Sequence, residues 1–308
     1  MPLVTGNELH KLFPHRAENV LVDKVECPLT PGGTEGSGWL NLAKGDKAGR
    51  DIFLYSADGG SFLLSPVACE YVALASICVL APDLQPGDIC FFSTISNVKF
   101  NGRVGVAGGL TVKVNRQKDR GPFKRFSGVV SGKASELVSA DIMAYALQPN
   151  AADASTGGTK RLEIPDTSMN EAVDKAMFTE KSKWMVFVDT ITGFNKETLT
   201  LTAKYVYPPN HPLTKGHFPG NPVMMGVTQW IAVEDAARLL AKKTGLSGTM
   251  TVSGEIVRAD GTLVADVKDL ALEMGKGAPV TKSLSRIGFR GMVKPGEEIF
   301  VRVTAKKE

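Results

Sequence analysis

"SPVACEYVALASICVLAP", Ser65 to Pro82, decides the fold. Ser65-Pro66 reads as an N-cap followed by proline at the first helical position, where its missing N–H has no intrahelical partner to lose. Pro82 closes the run, because proline cannot continue a helix. Between them the residues are apolar round most of a helical circumference, so this helix should be buried on nearly all sides. Such a helix needs a wrapping. The segments around it supply one: "LTVKVN" from Leu110, "TLTLTAKYVY" from Thr198 and "EIFVRVTA" from Glu298 alternate Val, Ile, Leu, Phe and Thr with polar residues, as half-buried strands do.

The pattern occurs twice. A second helix should begin near Gly226 and run through "VTQWIAVEDAARLLAKK", with Gly245 as its C-terminal stop. "VLVDKV", Val20 to Val25, is echoed by "VFVDTI", Val186 to Ile191. "KFNGRVGVAGGLTVKV", from Lys99, is echoed by "GFRGMVKPGEEIFVRV", from Gly288; both run Phe-x-Gly-x-Val, then a glycine turn, then a strand. The chain therefore divides into residues 1–148, a linker of residues 149–183 that begins polar and rich in small residues, and residues 184–308. Each half is expected to be one antiparallel sheet wrapped round one helix, an α+β architecture made twice. The echo breaks at one place: in the second half the hairpin "VSGEIVRADGTLVADVKDL" comes before "FRGMVKPG".

The formal charge of +4 is too small to point to nucleic acid. No apolar run reaches the roughly 18 to 20 residues that span a bilayer, and "MPLVTGNELHKLF" does not read as a signal peptide. Cys27, Cys69, Cys78 and Cys90 lack paired metal-ligand spacing, and free thiols in an apolar segment fit a reducing, cytoplasmic setting. The basic residues cluster: Lys113, Arg116, Lys118, Arg120, Lys124 and Arg125 stand against Asp119 alone. That stretch is either a solvated hairpin tip or a docking patch for an acidic partner.

"NHPLTKGHFPGNPVMMGV", Asn210 to Val227, resembles the signature of 3-hydroxyacyl-[acyl-carrier-protein] dehydratases, and "LFPHRAENVLVDKV", Leu12 to Val25, resembles their N-terminal segment. The family fold is the hotdog, a sheet wrapped round a central helix, so the resemblance implies a double hotdog, two units fused into an intramolecular pseudo-dimer. In that family the catalytic histidine is followed, fourteen positions on, by an Asp or Glu, and the two act across the dimer interface. Fourteen positions beyond His217 stands Ile231, which cannot exchange a proton. Laying Gly59 on Gly220 without gaps puts Ser56 at the histidine position and Glu70 at the acid position. The halves are complementary, so His217 and Glu70 should share one composite site, with its mirror, Ser56 and Ile231, dead.

The resemblance implies a hydro-lyase of fatty-acid or polyketide chemistry. His217 would remove the C2 proton of a 3-hydroxyacyl thioester, Glu70 would protonate the departing hydroxyl directly or through a bound water, and the Gly226 amide would hold the thioester oxygen. Phe218, Gly220, Val223, Met224 and Trp230 are candidates for contact with the acyl chain. Glu234 is a reserve acid. Leu74 stands where a polar residue often supports the acid, and Met225 where proline is usual. His211 is read as exposed, and His10 and His15 have no matching acid by spacing. No metal and no cofactor are expected. The partner would be acyl carrier protein, docking on the basic stretch, with association of pseudo-dimers left open. The rivals are a hotdog thioesterase, which would activate water with a carboxylate, and an inactive acyl-binding relic.

Overall fold

The computed structural model of the chain describes residues 1–85, 88–133, 135–147, 160–275 and 278–306. Helix α1 spans Ser65–Leu80 and every one of its residues is buried. It opens at Ser65 itself, with Leu64 in the capping position, one residue earlier than Ser65-Pro66 led us to expect. Helix α2 spans Gly226–Thr244 and ends on Gly245, whose φ of 76° is the left-handed stop that glycine adopts without a steric penalty. The two helices touch each other along the centre of the molecule.

Round α1 lie β1 (Leu3–Thr5), β2 (Lys24–Glu26), β3 (Glu35–Leu40), β6 (Ile89–Phe100), β8 (Leu110–Arg116), β9 (Lys124–Ser131) and β10 (Glu136–Leu147). A small second sheet is formed by β4 (Leu54–Ala57), β5 (Gly60–Leu63) and β7 (Val104–Gly105). Round α2 lie β11 (Glu171–Ala172), β12 (Thr190–Asn195), β13 (Thr200–Val206), β14 (Gly248–Val257), β15 (Leu263–Met274), β16 (Val280–Phe289) and β17 (Glu298–Ala305). All the large-sheet strands join one antiparallel sheet of 14 strands, in the order β1-β2-β3-β8-β9-β10-β6-β16-β15-β14-β17-β13-β12-β11. The halves meet where β6 pairs β16, Ile95 opposite Ile287. This is a double hotdog.

The echo in sequence is an echo in bonding. Asp23 donates its N–H to Trp39 O at 2.8 Å, and Asp189 donates its N–H to Lys204 O at 2.7 Å. The carboxylate of each then accepts the N–H of the strand beyond, from Asn41 and from Val206. The out-of-order hairpin is real too. After α1 the chain lays down β6 at the seam and then returns to β8 beside β3; after α2 it lays down the β14–β15 hairpin first, then β16 at the seam and β17 beside β13. The spatial order is nonetheless the same in both halves, β3-β8-β9-β10-β6 and β13-β17-β14-β15-β16. A strand's place follows from its ladder and its buried face; chain order is free wherever loops can reach.

The first part of the expected linker, residues 149–159, lies outside the described residues. Residues 160–183 are held against both halves. Lys181 forms a buried ion pair with Asp235 of α2, and Arg238 of α2 pairs with Glu180. The Ser56 N–H donates to Glu180 O at 2.8 Å. Ser65–Asp83 is, at 19 residues with a mean hydropathy of 1.5, long and apolar enough to cross a bilayer, which the chain's sequence was not expected to contain. It is 89% buried inside the protein, where it serves as the core of the first half.

Candidate active site

His217 follows a short 3-10 turn, Pro212–Lys215, and precedes the sequence Phe218-Pro219-Gly220-Asn221. That tetrapeptide is a tight turn: Asn221 N–H donates to Phe218 O at 3.0 Å, with Gly220 at φ 79°. Proline then glycine at the two central positions is the residue pair such a turn favours. The turn folds the loop back so that Val223 N–H donates to His217 O at 2.8 Å, while His217 Nδ1 lies 3.0 Å from Val223 O. A carbonyl only accepts, so the proton sits on Nδ1 and the Nε2 lone pair is left free. His217 is 8% exposed.

Glu70 comes from the first turns of α1, in the other half. Residues of α1 around it are Ala68, Cys69, Tyr71 and Val72, all fully buried, and Glu70 itself is 2% exposed. Ligand-type atoms of His217 and Glu70 lie within 4.8 Å of each other, from opposite halves of the chain. A third residue joins them within the same distance. His15 Nε2 lies 3.8 Å from Glu70 Oε1, and the His15 ring is 5.2 Å from that of His217. Spacing gave His15 no acid, because the acid is contributed by tertiary packing.

The three groups are driven towards neutrality. Burial raises the Glu70 carboxyl to about 7, and burial lowers His217 to about 4. Burial, His217 and Arg16 together hold His15 well below the ordinary histidine value. At neutral pH the site therefore combines unprotonated imidazoles with a carboxyl that can carry a proton. Its polar atoms are also unspent: Glu70 Oε1, both nitrogens of His15 and Gln229 Oε1 have no hydrogen-bond partner. Buried polar atoms are seldom left so, and a group of them together marks a place for something polar to bind.

That place is a cavity of about 330 Å³. His15, Glu70, His217 and Gln229 form its polar part, and Phe91, Phe218, Val223, Met224 and Phe289 belong to its apolar wall. Gly226, the first residue of α2, also lines it; its N–H belongs to the first helical turn, where amides lack intrahelical acceptors and the dipole is positive. A Cβ there would come within 3.0 Å of the Phe289 ring. Arg258, Arg290, Lys294 and Glu297 line it as well, with Arg258 paired to Glu297 and Arg290 to Asp266.

Two of the expected chain-contacting residues lie elsewhere. Trp230 is fully buried and packs edge-on against Phe100, and Gly220 is exposed on its turn; neither lines the cavity. Their places are taken by Phe91 and Phe289, on strands whose pairing across the seam no local pattern announced. His211, read as exposed, is buried: its Nε2 is 2.8 Å from Trp184 O and its Nδ1 accepts Leu213 N–H. Glu234 is held apart, its carboxylate accepting a 2.8 Å bond from Thr281 Oγ1. Gln229 could have been noticed as a polar residue among the apolar ones following Gly226. His15, Glu70 and His217 are also the one group of metal-ligand types found among the described residues. Bonds of about 2.0 Å in a tetrahedral site need ligand atoms roughly 3.3 Å apart, so holding an ion would require these side chains to close in.

No protein-family model matches the chain, and no curated protein matches it. Among solved structures it is similar to the dehydratase domain of RzxB from Pseudomonas fluorescens, at 10% identity and a TM-score of 0.49, over 92% of this chain and 99% of that one. It is similar to the dehydratase domain of a mycocerosic acid synthase-like PKS at 11% identity and a TM-score of 0.48, over 89% and 97%. A point mutant of the fluoroacetyl-CoA-specific thioesterase FlK matches over 31% of this chain and 70% of its own, at 15% identity and a TM-score of 0.29. At these levels function has to be read from the cavity itself.

Proposed function

We propose that the protein dehydrates 3-hydroxyacyl thioesters to trans-2-enoyl thioesters at one composite site between its halves, with His217 as base and Glu70 as acid. The observation that carries this reading is the meeting of those two side chains, one from each half, in a cavity that burial keeps in the required states. His217 Nε2 takes the C2 proton while Glu70 gives its proton to the leaving hydroxyl. The products of that exchange are an imidazolium and a carboxylate a few ångströms apart, and their attraction in a dry site offsets the cost of creating each charge. The Gly226 amide, on the positive end of α2, is positioned to stabilise growing charge on the thioester oxygen. The aromatic wall takes the acyl chain.

A carrier-bound substrate fits the surroundings. Arg258, Arg290 and Lys294 line the cavity together with Glu297; Arg258 is paired with Glu297 and Arg290 with Asp266, and these basic side chains are the ones we assign to the phosphate of a pantetheine arm. The basic hairpin tip is connected to the cavity by rings: Phe123 packs on Tyr145, which packs on Phe91. Within that tip Arg116 is taken up by Asp83 and Asp119, and Lys124 by Asp119. Lys113, Lys118, Arg120 and Arg125 are exposed and form the part we assign to an acidic carrier protein.

The test is direct. Purified protein is given 3-hydroxyacyl thioesters of several chain lengths on pantetheine and on carrier protein, and enoyl product and free thiol are measured separately. Enoyl product that disappears in His217→Ala and Glu70→Gln supports the proposal. Thiol release without enoyl product replaces it with a thioesterase, and no turnover of any substrate replaces it with a binding relic.

A further inference from the structure

Both ring nitrogens of His15 lack a hydrogen-bond partner although the residue is only 1% exposed, and Glu70 Oε1, 3.8 Å away, lacks one too. That gap is too long for a direct hydrogen bond. It is the right width for a single oxygen atom to sit about 2.8 Å from each. The ring is also held firmly. The Arg16 guanidinium donates to the backbone oxygens of His10, Phe13 and His15, which pins the turn, and the rings of Phe13 and Phe218 stand edge-on to His15 at 5.7 and 5.0 Å. A side chain fixed this way and left without partners is prepared for a ligand.

We propose that His15 and Glu70 form a two-point cradle for the 3-hydroxyl group of the substrate. This rests on the dehydratase reading and gives it a third working residue. A hydroxyl has one proton to donate and lone pairs to accept with. In the cradle it donates to a His15 nitrogen and accepts from the Glu70 O–H, so its oxygen is turned towards the acid before reaction. The neutral imidazole needed for this is what burial, His217 and Arg16 maintain. In the reaction His217 removes the C2 proton, that C–H electron pair becomes the new C=C bond, and the C3–O bond breaks with its electrons on oxygen. The Glu70 proton joins that oxygen. The product is water, still donating its original proton to His15. Net, one proton has moved from substrate to His217 and one from Glu70 to water, and the site resets when His217 returns its proton to Glu70. The cradle also selects: a 3-keto or 3-deoxy chain cannot donate to His15 and leaves its nitrogen unpaired, the kind of loss that discriminates strongly in a closed site.

The experiment uses two ligands that cannot lose water, because both hydrogens at C2 are replaced by methyl groups. They are α,α-dimethyl-β-hydroxybutyryl pantetheine and the same molecule without the hydroxyl. Their affinities are measured by calorimetry on the unmodified chain, on His15→Leu, and on His15→Phe, which keeps a ring between Phe13 and Phe218 but has no nitrogen. The unmodified chain is expected to prefer the hydroxylated ligand by about tenfold or more, and both variants to lose that preference, to about twofold or less. A folded variant that keeps the preference overturns the cradle. So does an unmodified chain that turns over 3-hydroxyacyl thioesters yet binds the two ligands equally, and there the dehydratase reading survives. An unmodified chain that neither turns over substrate nor binds either ligand overturns both.

Discussion

The composite site has a mirror image in the molecule, and the two are built differently from matching registers. On the His217 side "HFPG" makes a Pro-Gly turn that carries His217 inwards. On the mirror side the matching "SADG" makes the hairpin between β4 and β5, with Asp58 and Gly59 both left-handed at φ 48° and 76°. That pair of angles is the two-residue hairpin turn favoured by Asp-Gly. It leaves Ser56 exposed on a paired strand. Pro219 and Pro222 cannot donate to such a ladder, so the His217 loop has no hairpin to form. The helices differ in the same sense: Glu70 of α1 faces a cavity, whereas Ile231 of α2 is fully buried in the core. Even His15 has an opposite number. When Val186 is laid on Val20, Lys181 falls where His15 stands, and Lys181 is consumed in a buried ion pair with Asp235. On the mirror side Lys181, Asp235 and Arg238 are paired, and the buried atoms without partners there are Arg103 Nε and Trp230 Nε1. The His217 side gathers Glu70 Oε1, both nitrogens of His15 and Gln229 Oε1 without partners round one cavity, which is what the proposed proton exchange would need.

The comparison can be broken most severely at the pair itself. His217→Ala and Glu70→Gln should each lower kcat/KM for enoyl formation by about a hundred- to ten-thousandfold, the usual reach of a positioned acid or base. Ser56→Ala should leave it unchanged. A comparable loss at Ser56 would contradict the assignment of turnover to the His217 side alone. Next comes an attempt to build the mirror: Ile231→Glu should add no turnover and should cost on the order of 3–5 kcal/mol in urea unfolding, because it buries a carboxylate with no partner prepared.

The protonation states sharpen the contrast. Activity should fall on the acid side as His217 gains its proton near pH 4 and on the alkaline side as Glu70 loses its proton near pH 7. Stability follows the same group. The folded Glu70 binds its proton more tightly than the ordinary carboxyl at 4.5, so its contribution is fully present below about pH 4.5 and is lost as pH rises through about 7. Relative to Glu70→Gln, the unmodified chain should lose up to about 3 kcal/mol across that window, measured by unfolding at both ends. Loss on acidification instead would contradict the buried, raised carboxyl.

Trp230→Ala tests the corrected cavity wall. It should cost about 3–5 kcal/mol of stability as a core truncation, with KM in the surviving folded protein nearly unchanged, whereas Phe218→Ala should raise KM. The smallest effect is expected on the surface. Exchanging Lys118 and Arg120 for glutamate should raise KM several-fold for carrier-bound substrate and not for the pantetheine form, and salt should erase the difference.

Much of this was legible in the chain. The all-round apolar run from Ser65 read as a wrapped core helix, an assignment its burial inside the protein bears out over a membrane span of the same length, and the second copy of the pattern carried the rest of the architecture. The doubled register then matched Glu70 to His217 across some 150 positions, because two related halves facing each other put corresponding positions into one another's sites. His15, Gln229, Phe91 and Phe289 belong to no such register. They reach the cavity through the N-terminal turn, the start of α2 and the seam between β6 and β16, where placement depends on which side chains fill the space. What the sequence determined by itself was therefore everything periodic or repeated: two helices, their strands, and the register that pairs Glu70 of one half with His217 of the other and leaves Ile231 at the matching place in α2. What only the tertiary structure decided was which buried polar atoms remain without partners. That is a property of three-dimensional packing, since a side chain's hydrogen-bond balance depends on neighbours that can come from anywhere along the chain.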